Sequence, residues 1–380
     1  MAGLGAVLLF ATGAALIALL GDPNGRPPVA RHALGPAPVV TPQEIRTADV
    51  RRPIEFSDPD TGTEPSLSGV PETFEAIPTD HGSDPGQAEI DHAVQTNPDA
   101  LVAAPLTGLT TPGPSGPLPA IGPDGTRPDQ VYARPWHGDP NAPMIAVVIG
   151  GMGLNRAVTE AAIDELPPNV ALSFAPYSRD LQSWIDRARA AGHEVLVEVP
   201  MEPFDYPNND PGPHTLLADA PNSENSRRLY WLMSQATGYF AMTNYLGARF
   251  STSGPALEHL MTTLEERGVS FLHDGTGRRS TIEAAGNDAN ARWGIADRVL
   301  DEDPSPTAVD DRLLTLEALA LQNGTSVGAG FAYRSTVDQV ARWAEGLEAR
   351  GYELAPPSAV MARQQAERSG LQTSSATTDH

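Results

Sequence analysis

The chain has 380 residues and a formal net charge of -23, with 25 basic residues, all of them arginine, against 48 acidic ones. That balance argues against nucleic acid as a partner, because phosphates need basic neutralisation and no arginine-aromatic stripe offsets the acidity. The lack of cysteine excludes disulfides, thiolate-bound zinc and a thiol nucleophile.

The uncharged run from Ala2 to Leu20 nearly spans a ~30 Å hydrocarbon core at ~1.5 Å per residue, so residues 1–21 read as an N-terminal transmembrane or signal-anchor segment. No A-x-A-like cleavage site stands near Gly21 and the basic n-region is missing. An uncleaved anchor is therefore the first reading and a cleaved signal the second. Arg26 and Arg31 weakly oppose an outward-facing chain, so a single-pass inner-membrane protein with its folded part in the periplasm is inferred from the whole chain rather than from loop charge.

Residues 22–142 hold most of the 37 prolines and almost no apolar periodicity, which predicts a Pro-rich disordered linker. The segment from Ile45 to Phe56 is a possible docking motif within it. From Met144 onward the pattern changes to short apolar runs, MIAVVI, VALSFAPY, HEVLVEVP, YFAMTNY, VSFLHD, DRVLDED, TSVGAGFAY and YELAP. Helical periodicity lies between them. Ser178 can cap a helix over RDLQSWIDRARAAG, and Ser253-Gly254-Pro255 opens one with Leu257, Leu260, Met261 and Leu264 on one face. Asp303 to Pro306 precedes a helix carrying Leu313, Leu316 and Leu319. Another begins near Ser335 and ends at Gly351. Repeated β-then-α units predict an α/β fold with parallel strands and outer helices; their number favours a (β/α) barrel over residues 143–365, followed by a disordered tail at 366–380.

In such folds ligands meet the C-terminal ends of the strands. Gly151-Met152-Gly153-Leu154-Asn155-Arg156 has two glycines of a dinucleotide loop but arginine where the third belongs, and no acidic residue follows at the second strand end. There is no G-x-S-x-G elbow, and no histidine pair has helix-borne zinc spacing. The remaining strand ends offer Pro176-Tyr177, Glu198 with Met201-Glu202, Asn244-Tyr245, His273-Asp274, Asp301 and Phe331 to Tyr333, a polar and aromatic set suited to a sugar.

The segments VPMEPFDYPNNDPGPHTLL and ENSRRLYWLMSQATGYFAMTNYLGARFS resemble the divergent polysaccharide deacetylase family over roughly residues 143–361. The resemblance implies a deformed (β/α) barrel of about seven strands and a metal site that activates water against an acetyl carbonyl. It also implies carboxylates and imidazoles at places where this chain departs. Gly150-Gly151 stand for an Asp pair, Glu198 and Tyr245 for two histidines, His273 for an Asp, and Phe331 for a final histidine.

A catalytic metal needs about three protein ligands and an open position, so the expectation is no metal cofactor. A divalent ion such as zinc enters only if Glu198, His273 and Asp274 have rebuilt a site, with Glu202 as base and Glu202, His273 and Asp274 as the catalytic set. Glu198, Asn244, Tyr245, Arg249, Tyr177 and Tyr333 are the candidate substrate-binding residues. Each has a plainer reading beside it. Glu202 and Arg249 could form a structural ion pair, Glu198 could pair with Arg249, His273 could be a hydrogen-bonded strand-end residue, and the aromatic residues could only fill space. Together these features predict a membrane-tethered cell-envelope protein acting in carbohydrate metabolism, a catalytically degenerate module binding an envelope glycan or envelope protein. An active acetyl-removing hydrolase with substitute residues is the alternative, and a nucleotide-binding α/β protein the third.

Overall fold

A computed structural model describes residues 97–139, 141–277 and 279–378, with only the backbone at Ser280 and 371–378. The expected membrane segment and residues 22–96 of the linker lie outside the described residues. Among the described residues no helix is long and apolar enough to cross a membrane.

A hairpin of β1 (Thr110–Gly113) and β2 (Gly116–Pro119) and a short helix α1 (Pro128–Val131) precede the repeating part. Then follow β3 (Met144–Met152), α2 (Arg156–Glu165), β4 (Ala171–Phe174), α3 (Leu181–Ala191), β5 (Val195–Met201), α4 (Asn222–Met233), β6 (Ala241–Leu246) and α5 (Gly254–Glu266). The chain continues through β7 (Ser270–His273), α6 (Arg279–Asp288), β8 (Trp293–Ile295), β9 (Arg298–Val299), α7 (Pro306–Asn323) and β10 (Thr325–Phe331). It closes with α8 (Arg334–Glu345), β11 (Glu353–Leu354) and α9 (Pro357–Thr378).

Side chains alternate along each strand, so a parallel sheet covered on both faces needs apolar residues at both parities. In β3, Ile145, Val147 and Ile149 join the outer core beneath the helices, while Met144, Ala146 and Val148 join an inner core. That inner core mixes small residues such as Ala171, Ala241 and Val327 with the larger Met144, Leu196, Phe240 and Leu272. The main path runs β8-β7-β6-β5-β4-β3-β10-β9, with β11 also beside β3. Every ladder along it is parallel.

Strands β8 and β9 are parts of one bent segment. Ala296 N–H donates to the His273 carbonyl at 2.8 Å, and Asp297 N–H donates to the Val327 carbonyl at 2.7 Å, so the segment leaves β7 and joins β10. The expected deformed barrel is therefore a curled parallel sheet whose two edges are successive parts of a single stretch of chain, which leaves no long open edge. Sequence periodicity missed β8, which has three residues, and the β1-β2 hairpin.

Two boundaries need correction. The prolines place residues 97–142 in the linker, yet residues 97–139 form a strap under the end of the sheet where the strands begin. Arg189 of α3, 2% exposed, donates to the carbonyls of Val102 at 2.7 Å, Tyr132 at 3.0 Å and Gly238 at 2.7 Å. Leu109, Leu118 and Tyr132 are buried, Asp129 N–H donates to the Gly268 carbonyl, and Arg127 pairs with Glu265 at 2.6 Å. Composition undercounted this order because backbone carbonyls, which every proline keeps, carry much of it. The second correction is the C-terminus, where α9 continues as helix to Thr378 rather than giving way to a tail at 366.

Candidate functional site

The C-terminal ends of the strands surround a cavity of about 320 Å³, lined mainly by apolar side chains. Glu198 of β5, 4% exposed, points into it and accepts one hydrogen bond, from Gly151 N–H at 2.6 Å. Burial pushes its carboxyl up to about 7, against the pull of that hydrogen bond, and the charge of Asp274 adds to the rise.

His273 ends β7 and is fully buried. Gly275 N–H donates to Nδ1 at 3.0 Å, so the ring proton lies on Nε2, 3.0 Å from Ser251 Oγ. Burial holds this imidazole below its ordinary pKa. Asp274 Oδ1 sits 3.3 Å from Nδ1, but it faces a neutral ring nitrogen already engaged as an acceptor, so this contact is not an ion pair. Because β7 stops at His273, the next residue leaves strand alternation, and both His273 and Asp274 line the cavity. Asp274 Oδ1 also accepts from Thr276 N–H at 2.9 Å and Oγ1 at 2.7 Å.

Asn244 lines the cavity and is braced at both ends of its amide, accepting from Asp274 N–H at 2.8 Å and donating to the Leu246 carbonyl at 2.8 Å. Tyr245 lines it with its ring 6.1 Å from that of Phe331. Glu202, Arg249, Tyr177 and Tyr333 stand outside the lining. Glu202 is paired with Arg249 and accepts from Ala218 N–H at 2.7 Å, while Arg249 also reaches Asp219. The ion-pair reading of Glu202 thus describes its surroundings, and Glu198 does not pair with Arg249. Tyr177 accepts from His214 N–H at 3.0 Å on the outer loops, and Tyr333 is 46% exposed.

Two features escaped the sequence reading. Ser173 Oγ, on the inner face of β4 and 1% exposed, lines the cavity without a hydrogen-bond partner. It lies two residues after inward-facing Ala171, with Leu172 and Phe174 on the outer face, so its direction follows only once the parity of β4 is known. The second is the role of Asp301, whose Oδ2 accepts from Phe331 N–H at 2.6 Å and Thr336 Oγ1 at 2.8 Å and so pegs the aromatic wall in place.

The glycines at the end of β3 fit this surrounding. A Cβ built on Gly150 would lie 3.0 Å from Glu198 Oε1. One on Gly151, at φ +72°, would lie 2.7 Å from Phe331 Cε1. Carboxylates at these two positions would displace Glu198 and Phe331. In the same loop neither glycine amide is free for a phosphate, since Gly151 N–H is held by Glu198 and Gly153 N–H donates to Thr159 Oγ1 at 2.9 Å. A carboxylate beside it would also repel an anion, which weighs against the dinucleotide reading.

A divalent ion fares no better. No group of three His, Cys, Asp or Glu side chains placed to hold a metal is found among the described residues. Both nitrogens of His273 are engaged, and Phe331 fills the place where a further imidazole is implied. The donor set does not fit the metal that the resemblance implies.

A family model described as divergent polysaccharide deacetylase matches residues 147–361. The crystal structure of an uncharacterized protein from Agrobacterium tumefaciens is similar at a TM-score of 0.62 and 39% identity, covering 64% of this chain and 99% of that one. The uncharacterized protein YibQ of Escherichia coli is 23% identical over 195 residues, which is 51% of this chain and 60% of YibQ. A protein of Haemophilus influenzae is 21% identical over 194 residues, 51% of this chain and 68% of that protein.

Proposed function

Given that the chain belongs to the divergent polysaccharide deacetylase family, we propose that its deacetylase-like domain is a catalytically degenerate glycan-binding module of the cell envelope. In this reading residues 1–21 tether it to the inner membrane and the domain works in the periplasm. The observation that carries the proposal is the interlock at the end of β3, where Glu198 and Phe331 occupy the space that side chains at positions 150 and 151 would need. A hydrolase of this kind requires a metal-bound water near pKa ~7, and at the places where the resemblance implies the ligands for it this chain carries other residues. Support for a sugar-like ligand comes from the cavity itself, which combines Tyr245 and Phe331 with a few convergent polar groups.

The alternative, hydrolysis by substitute residues, would need a free base. Of the residues named for it, Glu202 is tied to Arg249 and Ala218 and His273 is buried with both nitrogens engaged, which leaves Glu198 as the carboxylate that such a reaction would have to use. The test is to incubate the purified full chain with acetylated envelope glycan, with and without added zinc, and to measure released acetate and retention on the insoluble glycan. Retention without acetate release is expected. Acetate release that EDTA abolishes would overturn the proposal.

A further inference from the structure

We propose that the cavity is a receptor for an organic ammonium, a protonated primary amine on a compact, ring-sized body, with the Glu198 carboxylate as its direct partner and Asp274 beside it. This rests on the reading of the domain as a binding module and names the chemistry of its ligand.

Charge is the first argument. Glu198, Asp274 and Asp301 line the cavity, and no arginine does. Nearby guanidiniums are directed elsewhere, Arg249 to Glu202 and Asp219, and Arg279 to Asp297 at 3.0 Å. His273 also lines the wall but its neutral ring supplies no cation. An anionic ligand would face carboxylates on several sides, whereas a cation would be matched.

The second argument is unmet hydrogen bonding. Glu198 makes a single hydrogen bond, leaving Oε2 open to the cavity, and Ser173 Oγ is buried without a partner on the same wall. An ammonium group has three donors in one small volume, enough to engage both. Tyr245 and Phe331, tilted by 30°, add ring faces against which a cation is attracted. A volume of about 320 Å³ limits the ligand to a small body.

Burial raises Glu198 to about 7, and a bound cation would reverse that rise. The groups facing this carboxyl are Gly151 N–H from β3, Tyr245 from β6 and Asp274 after β7, with Asp301 and neutral His273 on the remaining walls. Below pH 7 the carboxyl carries its proton in the free protein. Amine affinity should therefore fall by up to about tenfold per pH unit on the acid side and level off above it, with a proton released on binding near neutrality.

Calorimetric titration of the purified full chain with cyclohexylamine and glucosamine, against the neutral counterparts cyclohexanol and N-acetylglucosamine, tests this. The amines are expected to bind about tenfold or more tightly than their counterparts. Glu198→Gln, which keeps the shape and the acceptor for Gly151 N–H, should abolish that preference without lowering the melting temperature. Neutral compounds binding as tightly as amines, a preference that survives Glu198→Gln, or no amine binding at millimolar concentration would each overturn the proposal. Retention on glycan without amine preference would sink this inference alone, whereas EDTA-sensitive acetate release would sink the binding-module reading itself.

Discussion

Gly151 and Phe331 constrain each other: the glycine has a left-handed backbone at φ +72°, and the phenyl ring lies where its Cβ would project. Gly151→Asp should therefore destabilise the fold by about 2–4 kcal/mol, the combined cost of left-handed strain and overpacking, as read by chemical denaturation. Pairing it with Phe331→Ala should recover only the steric part, leaving the backbone strain. Glu198 gives a second test, through pH. Its carboxyl titrates near 4.5 in the unfolded chain and about 7 in the folded one, so across that window the folded chain holds a proton that the unfolded chain has released. Stability then falls as pH rises from 4.5 to 7 and is flat above. Glu198→Gln removes this penalty and should be more stable than the native chain at pH 8 by up to about 3 kcal/mol, with little difference at pH 4.5. Glu194, also pushed to about 7 by burial, contributes to both proteins alike and does not affect the comparison. An unchanged difference across the pH range would show that Glu198 is not desolvated.

Among the elements, strand exits were the most legible part of the sequence. Alternating apolar runs located β3 to β7 and β10, and with them Glu198, Asn244, Tyr245, His273 and Asp274 at the cavity. What periodicity could not show was which partners those exits meet across sequence distance. Glu198 is held by Gly151 N–H, 47 residues back, and Phe331 by Asp301, 30 residues back; neither pairing leaves a local pattern. Ser178 illustrates a local failure. It fits a helix N-cap in sequence, yet its hydroxyl donates to the Ala175 carbonyl at 2.7 Å, and α3 begins after Asp180 instead. The proline-rich strap was illegible for a different reason, since composition cannot see that Arg189 needs its carbonyls. A chain beginning at residue 143 would leave that buried guanidinium short of two acceptors and uncover the part of the core that Leu118 packs against, and should lose at least about 3 kcal/mol or fail to fold. A chain beginning at residue 97 should melt cooperatively, and equal stability of the two would show that the strap is not part of the domain.

For the whole molecule, the curled parallel sheet opens a cavity where the strands finish. The family model matches residues 147–361, and the positions where the resemblance implies metal ligands carry glycine, glutamate, tyrosine, histidine and phenylalanine in this chain. The central claim is that this exchange has replaced a metal centre by a metal-free pocket. It is tested most directly by equilibrating the purified full chain with excess zinc, removing free ion by dialysis, and measuring the metal-to-chain ratio. The account predicts a ratio far below one, unchanged by Glu198→Gln. One tightly held ion per chain, lost on that substitution, would contradict it.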